Sequence, residues 1–197
     1  MNDTPVAGII LAAGSASRMG QPKLLLPWMG EPLICHAART ALQSGLDPLV
    51  VVTGAGAEGI QNALAGFDVT LVHNPDWQSG QSTSVRAGIL ALPAQVEAVF
   101  FLLGDQPFVS PDLIQSLKQK FLETSPHILA PFVGDKRSNP VLFSREIFEV
   151  LCQLQGDAGA RSIFKQYPPE SMQWGDERIL FDIDTPEDYQ RLLELSK

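Results

Sequence analysis

Two cations arriving just after a loop of small residues mark the first place in this sequence where chemistry could happen. The apolar run Val6 to Leu11 feeds Ala12, Ala13, Gly14, Ser15, Ala16 and Ser17, and that loop delivers Arg18 and Lys23. Backbone N–H groups reach phosphate oxygens only where side chains are small enough to let the backbone approach, and glycine also permits the turns this requires. Arg18 adds a planar fork of donors and Lys23 a mobile point charge. Strand, small-residue loop and positive charge in that order describe a phosphate site. It is not the GxxxxGK[ST] loop, because Gly20 is followed by Gln21 and Pro22 before Lys23. Nor is it the dinucleotide fingerprint GxGxxG. Ala16 stands where the second glycine belongs, and Pro22 and Pro27 oppose a helix starting at once.

Carboxylates supply the complementary chemistry. Asp105 follows the very apolar run Val99 to Leu103, where a charge is costly unless it is solvated, paired or bound to a cation. It reads either as a magnesium ligand or as a turn-forming Asp at a strand end. Asp182 and Asp184 form a second pair, and period-two alternation would place both on one face of a short strand. Magnesium usually keeps several waters and takes other ligands from substrate phosphates, so two protein carboxylates are enough for it. Ser82, Thr83 and Ser84 at a helix start are N-cap residues or ligand contacts, and Arg86 one turn later is an anion or structural contact. Gly156 and Asp157 would open another helix with Asp157 as its cap, or as a contact, and Arg161 would sit on the next turn. His36, His73 and His127 share no metal-ligand spacing. Trp28, Trp77 and Trp174 are packing candidates, Trp77 lying beside the site.

These groups need a frame. Strand-like runs at Val6 to Leu11, Leu49 to Thr53, Val69 to Val72 and Ala98 to Leu103 alternate with segments of helical spacing, which predicts an α/β fold with a mostly parallel sheet and helices on both faces. The first helix is expected from about Pro32 to Ser44, stopping at Gly45, and another from about Ser82 to Leu92, ending before Pro93. Ser110, Pro111 and Asp112 begin a third with a cap, a first-turn proline and an acid. Thr185, Pro186, Glu187 and Asp188 repeat that grammar for the last helix. From Pro126 to Phe143 the pattern loosens into short strands and turns. A less regular subregion, about 126–175, is therefore expected beside the site. Ligands of open parallel sheets collect at the carboxyl ends of the strands, where strand order reverses. The phosphate loop and Asp105 both follow strands, and so point to one edge.

Composition narrows the class. With 197 residues, 45% of them hydrophobic, the chain suits one well-buried core and is short for two, so a single domain over 1–197 is expected. No apolar stretch approaches the roughly 20 residues of a spanning helix, and the N-terminus lacks the basic start of a signal peptide, so no membrane partner and a cytoplasmic location are expected. Cys35 and Cys152 are far apart without metal-ligand clustering and read as reduced thiols. A net charge of −8 argues against a nucleic-acid partner, because phosphate backbones demand a cationic footprint.

The segment LAAGSASRMGQPK resembles the LAAGxSxRMGxxK signature of the MobA-like nucleotidyltransferases, in particular the molybdenum cofactor cytidylyltransferases. Family-like blocks continue in order: NPDWQSGQSTSVRAGI from Asn74, GDQP from Gly104, NPVLF from Asn139, GDAGAR from Gly156 and DIDTPED from Asp182. The resemblance spans nearly the whole chain, with one departure at Ser138, where family members usually have Gly. It implies a three-layer α/β/α fold with a Rossmann-like sheet of the nucleotide-diphospho-sugar transferase type. It implies transfer of CMP from CTP to the phosphate of molybdopterin, releasing pyrophosphate, with Mg²⁺ as cofactor on Asp105 and Asp184. By the same resemblance, backbone around Leu11, Ala12, Ala13 and Gly14, together with Gly80, Ser82 and Ser84, would hold the nucleotide. Lys23 would steady the α-phosphate, Arg18 the departing phosphates, and Asn139, Pro140, Asp157 and Arg161 would meet the acceptor. Guanylyl-transferring relatives tend to carry LAGG, so Ala13 points to CTP. GTP with the same acceptor, a sugar phosphate as acceptor, and a non-catalytic carrier of the finished cofactor are the alternatives. A molybdenum enzyme receiving the product stays open as a partner.

Overall fold

The computed structural model describes residues 5–14, 19 and 22–195. Its centre is one eight-stranded sheet. β1 (Val6–Ala12), β4 (Leu49–Thr53), β5 (Thr70–His73) and β6 (Ala98–Leu103) run parallel. β7 (Ile128–Val133), β9 (Val141–Ser144) and β10 (Glu170–Gln173) extend it beyond β6, in the order β10-β7-β9-β6-β1-β4-β5, with β9 antiparallel to both its neighbours. The two-residue strand β8 (Lys136–Arg137) pairs with β7, and β2 (Pro27–Trp28) with β3 (Glu31–Pro32) forms a small separate ribbon.

Every residue of β4 is buried, as is every residue of β6 except Leu103, the pattern of parallel strands covered on both faces. Alternation sorts them: Leu49, Val51, Phe100 and Leu102 join one core, while Val50, Val52, Val99 and Phe101 join the other. α1 (Leu33–Gln43) and α4 (Pro111–Thr124) cover the first face, burying Ile34, Ala38 and Ala41 and Leu113, Leu117 and Phe121 at helical spacing. α2 (Ala57–Ala63) adds Ile60. The opposite face is covered by α3 (Gln81–Leu90) and α5 (Phe148–Cys152) through Val85, Ile89 and Leu151.

A third, smaller core holds the site together. Leu26, Trp28 and Leu33 pack with Ile183 and with Leu192 of the last helix, α6 (Pro186–Leu195), and Met19 and Phe108 lean on them. Chain from just after the phosphate loop is thereby fastened to chain near the C-terminus, which also lays the Tyr189 hydroxyl on the Pro27 carbonyl at 2.5 Å.

Several boundaries differ from the sequence reading. α3 begins at Gln81 and ends at Leu90, with Ala91 as its C-cap, and it stops short of Leu92, the residue whose helical geometry Pro93 disfavours. Gly80, and not a serine, is its N-cap. The segment after Gly156 forms no α-helix. A turn leads into a 3-10 helix over Ala160–Lys165, so Asp157 caps nothing. Residues 181–184 are not a strand, although Ile183 is fully buried and its N–H donates to the Asp105 carbonyl at 3.1 Å. The stretch 126–143 is more regular than expected, because β7 and β9 are members of the main sheet. Ser110 accepts from the Leu113 amide at 3.2 Å as α4's cap, and α1 ends at Ser44 before Gly45 at φ +70°. Cys35 is buried and Cys152 partly so; both are free, and burial pushes each thiol up.

Candidate active site

β1 and β6 are adjacent and parallel, and after β1 the chain moves outward through β4 and β5 before returning to lay β6 on the other side. Strand order therefore reverses between β1 and β6, and a two-lobed cleft opens at their carboxyl ends. One lobe, of about 320 Å³, is floored by Leu11 to Gly14 and walled by Trp77, Ser84 and Gly104. The other, of about 450 Å³, is lined by Asn139, Arg137, Arg161 and an aromatic row. Leu11, Gln81, Leu103 and Asp105 border both lobes.

Lys23 stands at the junction, with its ammonium Nζ 2.5 Å from Asp105 Oδ2, 3.0 Å from Asp184 Oδ1 and 3.1 Å from the Ile183 carbonyl. Burial by itself would push this ammonium down, but the charges of Asp105 and Asp184 and its hydrogen bonds to them outweigh that and raise its pKa. Lys23 is thus held as a cation between the two carboxylates. The sequence reading assigned it to substrate phosphate. Here its contacts are to Asp105, Asp184 and the Ile183 carbonyl.

Asp182 shares the second lobe and accepts a hydrogen bond from the Gln106 amide. Desolvation raises its pKa; the neighbouring Asp105 and Asp184 charges act in the same direction, against the opposing Gln106 bond and Lys23 charge. Asp105, Asp182 and Asp184 thus share this lobe, and among the described residues the Lys23 ammonium answers the first and last of them. Asp105 Oδ1 is buried with no hydrogen-bond partner among the described residues. An unanswered buried carboxylate oxygen fits a hard divalent cation that brings its own waters, and Asp105 and Asp184 could hold one, although among the described residues no three acids, histidines or cysteines are grouped closely enough to hold it by themselves.

The remaining expected residues divide. Leu11, Ala12, Ala13, Gly14 and Ser84 line the first lobe. Ser82 is buried and its hydroxyl donates to the Gly156 carbonyl at 2.7 Å, while Thr83 and Ser84 accept from Asn74 Nδ2 at 2.8 and 2.9 Å, so these hydroxyls tie the α3 start to its neighbours. Gly80, at φ +112°, is outside the lining. A Cβ there would fall 2.2 Å from Gly156 backbone atoms, so the close approach requires glycine. Asn139 and Arg161 reach the second lobe, but Pro140 backs the α1 side of the sheet and Asp157 is exposed outside both lobes. Arg86 is exposed away from the cleft. Ser138 is buried and donates to the Ile179 carbonyl at 2.6 Å. Arg18 lies outside the described residues. Arg137, Gln81 and Gln106 were missed in the sequence. Gln106 sits in the GDQP block and Gln81 in the block from Asn74, but no local motif marks Arg137, and only the packing of distant segments brings it to the cleft.

The family model for the MobA-like NTP transferase domain matches residues 8–171, which contain the floor, Lys23 and Asp105. The chain belongs to this family. Members of similar likeness carry unlike names. The chain is 34% identical to the nicotine blue oxidoreductase of Paenarthrobacter nicotinovorans, over 98% of this chain and 100% of that one. It is 31% identical to the molybdenum cofactor cytidylyltransferase of Escherichia coli K12, over 92% of each. Among solved structures, Rv0371c from Mycobacterium tuberculosis H37Rv superposes with TM-score 0.85 at 29% identity, over 98% of this chain and 100% of that one, and it has also been solved in complex with manganese. This MobA-like domain has, among the described residues, no helix long and apolar enough to cross a membrane.

Proposed function

We propose that this MobA-like domain transfers CMP from CTP to the phosphate of molybdopterin and releases pyrophosphate. The observation that carries this reading is the meeting of two lobes at Asp105, one floored by small-residue backbone and the other lined by arginine and aromatic rings. A nucleotide seated on Leu11 to Gly14 would turn its phosphates toward Lys23. An acceptor in the second lobe would approach the α-phosphorus from the opposite side, as in-line displacement requires. Such transfer needs little covalent help, so positioning and charge neutralisation do most of the work.

Asp105 and Asp184 would hold Mg²⁺, which when bound neutralises phosphate charge and orients the triphosphate. Lys23 would then exchange carboxylate for phosphate contacts, steadying charge on the α-phosphate, and Arg18 would take the departing phosphates. Asp182, held by Gln106, would face the incoming acceptor. Ala13 supports CTP over GTP by the family resemblance, since guanylyl-transferring relatives tend to carry LAGG where this chain has LAAG.

Pyrophosphate release is the test, with purified protein, Mg²⁺, molybdopterin and either CTP or GTP, beside the Asp105→Ala variant. Release with CTP that the variant abolishes is the expected result. Preference for GTP would move the assignment to guanylyl transfer, and tight nucleotide binding without release would favour a carrier or another acceptor.

A further inference from the structure

In the second lobe, which Asp105, Asp182 and Asp184 also line, two positive charges have no ion-pair partner among the described residues. Arg137 follows the tight turn between β7 and β8 and is half-buried; its guanidinium carbon lies 4.7 Å from the Phe164 ring centroid. Its polar contact is a long one, 3.5 Å to the Ser138 carbonyl. Arg161, from the 3-10 helix that also carries Phe164, lines the same lobe. Among the described residues neither guanidinium lies within ion-pair distance of a carboxylate, whereas Arg39 and Arg178 each meet one, at 2.6 and 2.7 Å. Burial lowers the Arg137 pKa, and the like charge of Arg161, which lines the same lobe, lowers it further.

Like charges held in one lobe without an ion pair of their own cost the fold stability, and a bound anion would recover that cost. A monoanion would answer only one of them. Two planar forks presenting parallel donors match the oxygens of a dianionic phosphate. The wall beside them is aromatic: Phe164 stacks on Phe143 at 6.3 Å and 21°, and Phe143 meets Phe101 edge-on at 5.6 Å. These rings are packed into the core, with Phe143 1% exposed and the Phe164 ring between Arg137 and Phe143, so they hold the Arg137 stem in place and exclude water around it.

We propose that Arg137 and Arg161 form a two-pronged clamp for the phosphomonoester of the acceptor. The clamp deepens the acceptor reading given under Proposed function and rests on it for the direction of transfer, but not for the binding chemistry. Arg137 thereby becomes an acceptor-specificity residue in addition to Arg161.

Phenyl phosphate is the probe, titrated calorimetrically into the full chain with and without saturating CTP, beside benzoate as a flat monoanion. Phenyl phosphate should bind more tightly than benzoate. Arg137→Met and Arg161→Met should each weaken phenyl phosphate about 10-fold or more, as loss of a charged hydrogen-bonding partner implies. Arg137→Lys should fall between, and CTP affinity should stay within about twofold, since only the acceptor lobe is altered. Methionine retains an apolar stem over Phe164, and thermal midpoints report whether each variant is folded; Arg161, being exposed, gives a folded variant if Arg137→Met does not. The clamp is overturned if wild type does not bind phenyl phosphate, if benzoate binds equally well, if the folded variants bind as wild type does, or if CTP affinity falls in parallel. Arginine-dependent phenyl phosphate binding in a protein that releases no pyrophosphate from CTP and molybdopterin would sink the cytidylyl reading and leave the clamp standing.

Discussion

Replacing Lys23 by Met should make the protein bind a divalent cation more tightly while making it a poorer catalyst. The ammonium lies 2.5 Å from Asp105 and 3.0 Å from Asp184, so both oxygens are engaged by the same nitrogen. A cation bound to those oxygens at the usual ~2.0–2.1 Å would need the space the nitrogen fills, so metal and ammonium compete for one position. Displacing Lys23 breaks two charge-assisted contacts. In a dry site each would be worth about 1.5–3 kcal/mol. Here Lys23 is 25% exposed and Asp184 54% exposed, and solvent screening reduces such pairs sharply. A displacement cost of about 1–2 kcal/mol follows, equivalent to roughly 5- to 30-fold in affinity. Mn²⁺ titrated into nucleotide-free protein, with the free ion counted by its paramagnetic resonance signal, measures this directly. Tighter Mn²⁺ binding in Lys23→Met, together with lost binding in Asp105→Asn, is the expected pair of results. Unchanged or weaker binding in a folded Lys23→Met variant would refute the idea that the ammonium stands in the cation's place. The same variant should lose pyrophosphate release by about 100-fold or more, in the range for removing a charge that stabilises a transition state.

Further outcomes follow from the same geometry. Gly80→Ala should destabilise the fold by about 2 kcal/mol or more, read by chemical denaturation, since its Cβ would strike Gly156 backbone and the residue would keep a left-handed φ. Asp188 accepts from the Thr185 amide at 2.9 Å, and its own amide donates to Thr185 Oγ1 at 3.2 Å, a reciprocal cap for α6. Burial opposes ionisation of Asp188, but its bonds to Thr185 and the Asp184 amide win and hold its pKa below the usual carboxylate value. Its contribution is therefore present above the unfolded-state value and lost as pH falls through the folded one, in the acid range below about 4. Asp188→Asn should accordingly cost about 0.5–2 kcal/mol at neutral pH, a difference from wild type that shrinks toward pH 3 in urea titrations. Leu117→Ala, at a fully buried position of α4, should cost about 2–5 kcal/mol without altering Mn²⁺ affinity, which separates core damage from site damage.

The four parallel strands were legible because their apolar runs are long and each is closed by a loop or a turn residue. Caps were legible where a side chain provides them, as at Ser110 and Thr185. The start of α3 was misread because Gly80 caps it through a backbone conformation, while the serines face Asn74 and Gly156, partners that sequence proximity does not reveal. The stretch 126–143 looked irregular because β9 earns its place by pairing with β6, more than 35 residues earlier, and short strands supported from outside carry weak signals of their own.

By itself, the sequence determined what is local: the order of elements, the small-residue floor Leu11 to Gly14, and the carboxylates Asp105 and Asp184 as the acids worth watching. Tertiary structure alone decided what those groups face. It set the Lys23 ammonium between two acids that are 82 and 161 residues away, brought Arg137 and Arg161 into one lobe, and left Asp105 Oδ1 without a hydrogen-bond partner among the described residues. The reason is physical: side-chain type and spacing act over a turn or a strand, whereas a charge's partner depends on which buried surfaces close together. Here that closure is made by the packing of Leu26, Trp28 and Leu33 against Ile183 and Leu192.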